Sequence, residues 1–212
     1  MQLPDRHLDL GCGGTPRNPY GRASTCGVDI VPAHPGASHE HRIANLVVEP
    51  IPYADGRFGS VSAYDFLEHV PRVFPDGRGG TRFPFIALMD EIWRVLADGG
   101  LLYALTPAFP HPDAFVDPTH VNIITSDTHR YFCGAEPEGR MYGFAGRFEV
   151  VRVRRTERAG AYSALPGSPL NHGRGKLAAR AARRWLRYLR GRVSTPAAPY
   201  LLWELRAVKT PP

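Results

Sequence analysis

The sequence predicts an α/β fold, a doubly wound and mostly parallel sheet covered by helices, and three observations predict it. Short apolar runs alternate with helical or loop segments; the first run breaks into glycines; the second ends in an acid. In order, "RHLDLGCGG" reads as a first strand starting at His7, "TCGVDI" as a second, "HRIANL" as a third and "SVSAYDF" as a fourth. A helix follows from Phe83 to Ala97, with Ile86, Met89, Trp93 and Leu96 on one face and Gly99 and Gly100 as its stop signal. The apolar "LLYALT" is then a fifth strand, and in such a sheet ligands bind at the carboxyl ends of the strands. A Pro-, His- and Asp-rich loop fills residues 107–125, and "SDTHRYF" starts a short helix capped by Ser126. Two more strands, "RFEVVRVRR" and "YLLWELRAVK", end the domain. Between them a basic helical insertion, about 158–195, holds the loop "GAYSALPGSPLNHGRG" and a helix from Lys176 to Arg190.

Composition sets the outer limits. A chain of 212 residues with 43% hydrophobic residues can bury the core of one domain. No run approaches the roughly 18 apolar residues of a membrane-spanning helix, and a strand starting at His7 leaves no room for a cleavable leader. A cytoplasmic protein is expected. Cys12, Cys26 and Cys133 have neither metal-ligand nor redox spacing, so reduced thiols are expected too. The formal net charge of +6 is uneven: residues 152–192 hold 12 basic residues and one acid, Glu157. Such a segment marks either a solvated helix face or a surface that meets an anion.

The glycines carry the first functional signal. Gly11 and Gly13 stand where the backbone must turn sharply and admit a ligand without a Cβ in the way. Asp29, ending the second strand, is placed to accept both hydroxyl protons of a ribose. Together they suggest a nucleoside-containing cofactor.

With its series "LDLGCG", "GVDI", "DFLEHVPR" and "EIWRVLADGG", the chain resembles class I S-adenosylmethionine-dependent methyltransferases over nearly its whole length. The resemblance implies a Rossmann-like sheet of seven strands and S-adenosylmethionine as cofactor. It further implies that Asp9, Gly11 and Gly13 hold the methionine end, Asp29 the ribose, and Ile30 the side of the adenine. Asn45 and Leu46 stand where the family usually has an acid near the adenine amino group. Asp65 would face the sulfonium and the acceptor. The stretch "EIWRVLADGGLLYALTPAFPHPDAFVDPTHVNIIT" looks like a subgroup associated with bacterial polysaccharide and sugar biosynthesis, which implies O-methylation of a sugar hydroxyl; a quinone, natural product or other small molecule is the alternative acceptor. One departure stands out. Only 11 residues separate Gly13 from Thr25, and Pro16 and Pro19 lie among them, so the first helix is shortened to a loop or turn. A dinucleotide needs that helix N-terminus for its pyrophosphate, whereas a sulfonium cofactor without phosphates does not.

A hydroxyl is a poor nucleophile until its proton is removed or its oxygen polarised. His120 in "DAFVDPTHV" is one candidate base, with Asp117 or Asp113 to orient it. A divalent cation is another route. Asp65, Glu68 and His69 are spaced i, i+3 and i+4, so on a helical turn they share a face suited to Mg²⁺ or Mn²⁺, with His120 or Asp117 able to complete the shell. The cluster is similar to one that binds metal in some quinone-biosynthesis O-methyltransferases, yet Glu and His also brace this turn in metal-free relatives. Phe109, Phe115, Tyr131, Phe132, Tyr142 and Phe144 lie in the stretch expected to cover the cleft, as core or as faces for a sugar, and His111 ranks behind His120 as an acceptor contact.

On the basic helix Leu177, Ala181, Trp185, Tyr188 and Leu189 line one side, and Arg180, Arg183, Arg184, Arg187 and Arg190 crowd the rest. Its apolar side is expected to pack on the sheet or on a second subunit, making a homodimer. Alternatively the helix docks on an anionic glycan, a lipid-linked acceptor or the inner membrane surface. Nucleic acid is disfavoured, because "DFLEH" lacks the motif with which base-methylating enzymes grip a flipped base. A non-catalytic subunit would have no need of Asp29, Asp65 and His120.

Overall fold

Each apolar run becomes a strand, since a run buried on both faces satisfies its backbone groups most fully within a sheet. The computed structural model describes residues 2–158, 174–193, 195 and 197–209. The chain runs through β1 (Arg6–Leu10), β2 (Ser24–Asp29), β3 (Glu40–Ile43) and β4 (Phe58–Tyr64) to a 3-10 turn at Leu67–His69. A small antiparallel pair, β5 (Phe74–Pro75) and β6 (Thr81–Arg82), precedes α1 (Pro84–Val95) and the long β7 (Leu96–Pro107). Then come α2 (Asp113–Val116), β8 (Phe148–Thr156), α3 (Arg174–Leu189) and β9 (Tyr200–Ala207).

Seven strands form one sheet in the order β3-β2-β1-β4-β7-β9-β8. Neighbours from β3 to β7 are parallel, and β9 runs antiparallel to both β7 and β8. This is the expected doubly wound sheet. The chain moves outward from β1 to β3, returns beside β1 as β4 and then winds the other way, so the switch point lies between β1 and β4. Central β4 is buried along its whole length, while β3 and β8 at the edges are largely open.

The first helix is absent altogether. Residues 11–23 form a loop, closed by Asn18, whose Nδ2 donates to the Arg22 carbonyl (2.8 Å) and to Thr25 Oγ1 (2.9 Å) while its Oδ1 accepts from the Arg22 amide. Other expectations need correction. In α1 the buried face is Phe85, Leu88, Met89, Ile92 and Val95, and Ile86 and Trp93 are only half-buried. Both stripes share Met89, and the one that offers five apolar side chains takes the core. The short helix in "SDTHRYF" is a 3-10 turn, Thr128–Tyr131, preceded by Asp127. Ser126 is not its cap; Thr128 Oγ1 instead accepts from the Thr125 amide at 2.9 Å.

Helix α3 matches the predicted basic helix, but its apolar residues do not pack on the sheet. Trp185 is 53% and Leu189 70% exposed, and Arg180, Arg183 and Arg187, also exposed, border a cavity with the half-buried Arg184. Most of "GAYSALPGSPLNHGRG" lies outside the described residues. Cys12, Cys26 and Cys133 are free thiols. Among the described residues no helix is long and apolar enough to cross a membrane.

Candidate active site

At the carboxyl end of β1 the backbone turns through Gly11 and Gly13, with φ of 61° and 59°. Each needs glycine for its own reason. A Cβ on Gly11 would lie 2.5 Å from Phe66 Cδ2, whereas a Cβ on Gly13 would meet nothing within 4 Å. Gly11 is thus a packing glycine, and Gly13 opens free space at the switch point. The loop is held from beneath by Asp29, whose Oδ2 accepts from the Gly13 amide (2.8 Å) and Oδ1 from the Val31 amide (2.9 Å). Each oxygen keeps a further lone pair.

Asp9 has a different setting from the one the family pattern implies. It is fully buried, accepts from Ser62 Oγ at 2.6 Å and from the Arg17 amide at 2.7 Å, and burial pushes its carboxyl up to about 7. What it holds is the loop that replaces the first helix. Behind it stands a buried relay with a fixed direction. Because Ser62 spends its proton on Asp9, His7 Nε2–H donates to Ser62 Oγ (2.8 Å), and His7 Nδ1 accepts from Ser60 Oγ (2.8 Å). Burial, aided by Arg22, lowers the His7 pKa to about 3.

Beyond Asp29, Ile30 is 68% exposed and forms with Val31 an apolar shelf at the end of β2. Asn45 is exposed, and its Oδ1 accepts from the Val47 amide at 3.2 Å. Leu46 is a correction: it is buried in the hydrophobic core and offers the cleft no side-chain surface.

The acid and histidine groups follow β4. Asp65 has φ of 50° and lies before the 3-10 turn, so it does not share a helical face with Glu68 and His69 as expected. Its Oδ2 accepts from Arg158 Nη2 at 2.6 Å, at the end of β8. Tyr200 lies beside it, with a hydroxyl pushed up to about 12 by burial and then by the Asp65 charge. Asp65 is therefore an ion-pair partner at the rim, and His120 takes its place in the cluster. Donor atoms of Glu68, His69 and His120 all lie within 4.8 Å of one another.

This trio has unused valence. Glu68 is 1% exposed; its Oε2 accepts from Thr106 Oγ1 (2.9 Å), while its Oε1 has no hydrogen-bond partner. Burial raises its pKa to about 7. His120 Nδ1 is likewise buried without a partner, and its Nε2 stands 4.0 Å from Asp117 Oδ2. Asp117 binds Thr119 more closely, through its amide (2.8 Å) and hydroxyl (2.7 Å). That fixes His69. Thr119 Oγ1 has given its proton to Asp117 and lies 2.9 Å from His69 Nδ1, so Nδ1 carries the hydrogen and Nε2 the lone pair. Asp113 does not orient His120; its amide donates to His111 Nδ1 at 3.2 Å.

The predicted aromatic cover divides three ways. Phe132 and Phe144 are core, and Phe109 and Phe115 meet edge to face on the loop after β7. Tyr131 and Tyr142 stack at 6.3 Å and line a cavity of about 410 Å³ with Phe83, Arg72, Asp127 and Glu138. Its Arg72 donates to Asn122 Oδ1 (2.6 Å), and the Asn122 amide donates to the Glu68 carbonyl (2.9 Å). Sequence reasoning missed Phe66, Thr106, Thr119 and Arg158. Only Thr119 carried a local signal, its place between Asp117 and His120; the others act across 38 or more residues.

Solved structures share this architecture. A candidate methyltransferase of Bacillus halodurans matches with a TM-score of 0.54 at 16% identity, over 99% of this chain and 95% of that one. An S-adenosylmethionine-dependent methyltransferase from Archaeoglobus fulgidus matches with a TM-score of 0.55 at 15% identity, over 96% and 86%. The cyclase SpnF matches with a TM-score of 0.52 at 16% identity, over 99% and 77%. The chain therefore has the fold of S-adenosylmethionine-dependent methyltransferases, and the cyclase is a reminder that a fold does not fix a reaction. No protein-family model and no curated protein matches the sequence.

Proposed function

We propose that the protein is an S-adenosylmethionine-dependent O-methyltransferase acting on a sugar hydroxyl. The observation that carries the reading is the pairing at the switch point: open space at Gly13 beside a carboxylate, Asp29, that retains free lone pairs, with the exposed Ile30 shelf next to it and no helix N-terminus to receive phosphate. These residues fit a nucleoside cofactor without phosphates. Gly13 would admit its methionine end, Asp29 its ribose and Ile30 one face of its adenine. When bound, the cofactor supplies an electrophilic methyl group.

The chain's own task is to take the proton from the acceptor oxygen as that oxygen gains the methyl group. His120 Nδ1, buried and without a partner, is the base; Glu68, with a pKa near neutrality, can receive the proton in turn. A divalent cation is the second reading, favoured by the same trio of donors. With His120 replacing Asp65 the set becomes one carboxylate and two imidazoles, which suits Mn²⁺ better than Mg²⁺. A sugar acceptor is supported by the cavity between α1 and Thr128–Tyr131. There the tyrosine faces and the charged Arg72, Asp127 and Glu138 offer the apolar and polar surfaces a ring with hydroxyls needs.

Calorimetric titration with S-adenosylhomocysteine tests the cofactor. The parent should bind, and Asp29→Ala should bind at least tenfold more weakly. Absence of heat from a folded parent would sink the reading. Repeating the titration with Mn²⁺, against His69→Ala and Glu68→Gln, separates the metal from the simple base.

A further inference from the structure

The arginines of α3 gather along one open cavity while most of them stay exposed. Arg180, Arg183, Arg184 and Arg187, spaced i, i+3, i+4 and i+7, line one cavity of about 700 Å³, with Arg192 from beyond the helix and His111, Asp113, Glu157 and Pro199 opposite. Trp185, Leu186 and Leu189 are exposed. Like charges three and four residues apart repel, so this arginine face needs negative charge.

The protein supplies too little of it. Glu157 pairs with Arg184, and Asp113 is the one other carboxylate in the lining. Among the described residues Arg180, Arg183, Arg187 and Arg192 have no carboxylate within ion-pair distance. Residues 159–173 contain no acid at all. The cavity also adjoins the cleft. Glu157 and Pro199 line it, while the next residues in the chain, Arg158 and Tyr200, lie against Asp65.

We propose that this groove is a binding site for a diphosphate group, so that the acceptor carries its sugar on a diphosphate held by Arg180, Arg183, Arg187 and Arg192. Planar guanidinium groups bind phosphate oxygens in pairs, and several converging on one cavity suit two linked phosphates better than an isolated carboxylate. The groove stands on its own geometry; the clause about the acceptor rests on the methyltransferase reading. A soluble nucleoside diphosphate and a membrane-held prenyl diphosphate share this chemistry.

The test is titration of inorganic pyrophosphate into the full chain at low salt, with S-adenosylhomocysteine binding measured separately on the same samples. The parent should bind pyrophosphate, more weakly as salt rises. Arg183→Ala/Arg187→Ala should bind it at least tenfold more weakly while keeping its affinity for S-adenosylhomocysteine. Arg192→Ala, outside the helix, should show a smaller loss in the same direction if the double variant fails to fold. No pyrophosphate binding by the parent, or equal binding by the variants, overturns the proposal. Loss of S-adenosylhomocysteine binding in the parent instead removes the cofactor reading and leaves the groove standing. Vesicles of anionic phospholipid distinguish the sources. Vesicle binding that pyrophosphate displaces points to a membrane-held ligand, and its absence beside good pyrophosphate binding points to a soluble one. Vesicle binding that neither pyrophosphate nor the double variant affects counts against the groove.

Discussion

The loop after β1 and the loop after β7 leave the same end of the sheet, yet they are held in different ways. The first is fixed through its backbone: Asp9 and Asp29 grip the amides of Arg17, Gly13 and Val31, and the shape depends on side chains being absent. The second is fixed in large part through side chains, with Asp117, Thr119 and His69 in one chain and Glu68 bound to Thr106. A surface shaped by backbone can receive a ligand, and the group beneath it that is near neutrality, Asp9, is fully buried and spent on the loop. A surface shaped by side chains can move protons. The contrast assigns binding to one loop and chemistry to the other.

The sharpest way to break that assignment is His120→Ala. Methyl transfer should fall on the order of 10²–10⁴-fold, with S-adenosylhomocysteine binding unchanged, as measured by initial rates and calorimetry. Thr119→Val, which removes only the hydroxyl that fixes the His69 tautomer, should cost about tenfold in rate. If either variant lost cofactor binding instead, the two loops would not be separate.

Next in size is a pair of glycine variants. Gly11→Ala combines left-handed strain with the Phe66 clash and should cost about 2–5 kcal/mol of stability in chemical denaturation. Gly13→Ala meets strain alone and should cost about 1–2 kcal/mol, while still reducing cofactor affinity. Equal losses would contradict the distinction between packing and access.

A smaller effect concerns pH and the relay beneath the first loop. His7, with a pKa near 3 when folded, contributes stability above its unfolded value of about 6.5 that is lost as pH falls toward 3. Asp9, raised to about 7, contributes stability below its unfolded value of about 3.9 that is lost as pH rises through 7. Between about pH 4 and 6.5 the two slopes oppose each other. Relative to the parent, His7→Gln should grow less stable with rising pH across that range, and Asp9→Asn more stable. Slopes of the same sign in both variants would show that the relay is not built as described. Smallest of all, Arg158→Ala removes a rim ion pair whose arginine is 62% exposed, and should change stability by less than about 1 kcal/mol.

The same contrast explains what could be read from sequence. Gly11, Gly13 and Asp29 were legible because a backbone turn leaves a local mark, a glycine at a positive φ or an acid at a strand end. The mostly parallel sheet followed from alternation, and the shortening of the first helix from Pro16, Pro19 and the short span to Thr25. Asp65 misled because i, i+3, i+4 spacing says nothing about where a helical turn begins, and the turn starts after it. His120 could be named as a candidate base and as completing a shell with Glu68 and His69; what brings the three together is the pairing of β4 with β7. The cavity beside the arginines of α3 left no mark in sequence, for an amphipathic pattern does not say what either face will border.

The sheet edge also sorts charge along its length. Near β1 and β2 carboxylates lie beneath a loop without the partial positive charge of a helix N-terminus; beyond β9 a bank of arginines has few counterions. A cationic molecule and an anionic one would be drawn to different places at this end of the sheet. Added salt should weaken both attractions.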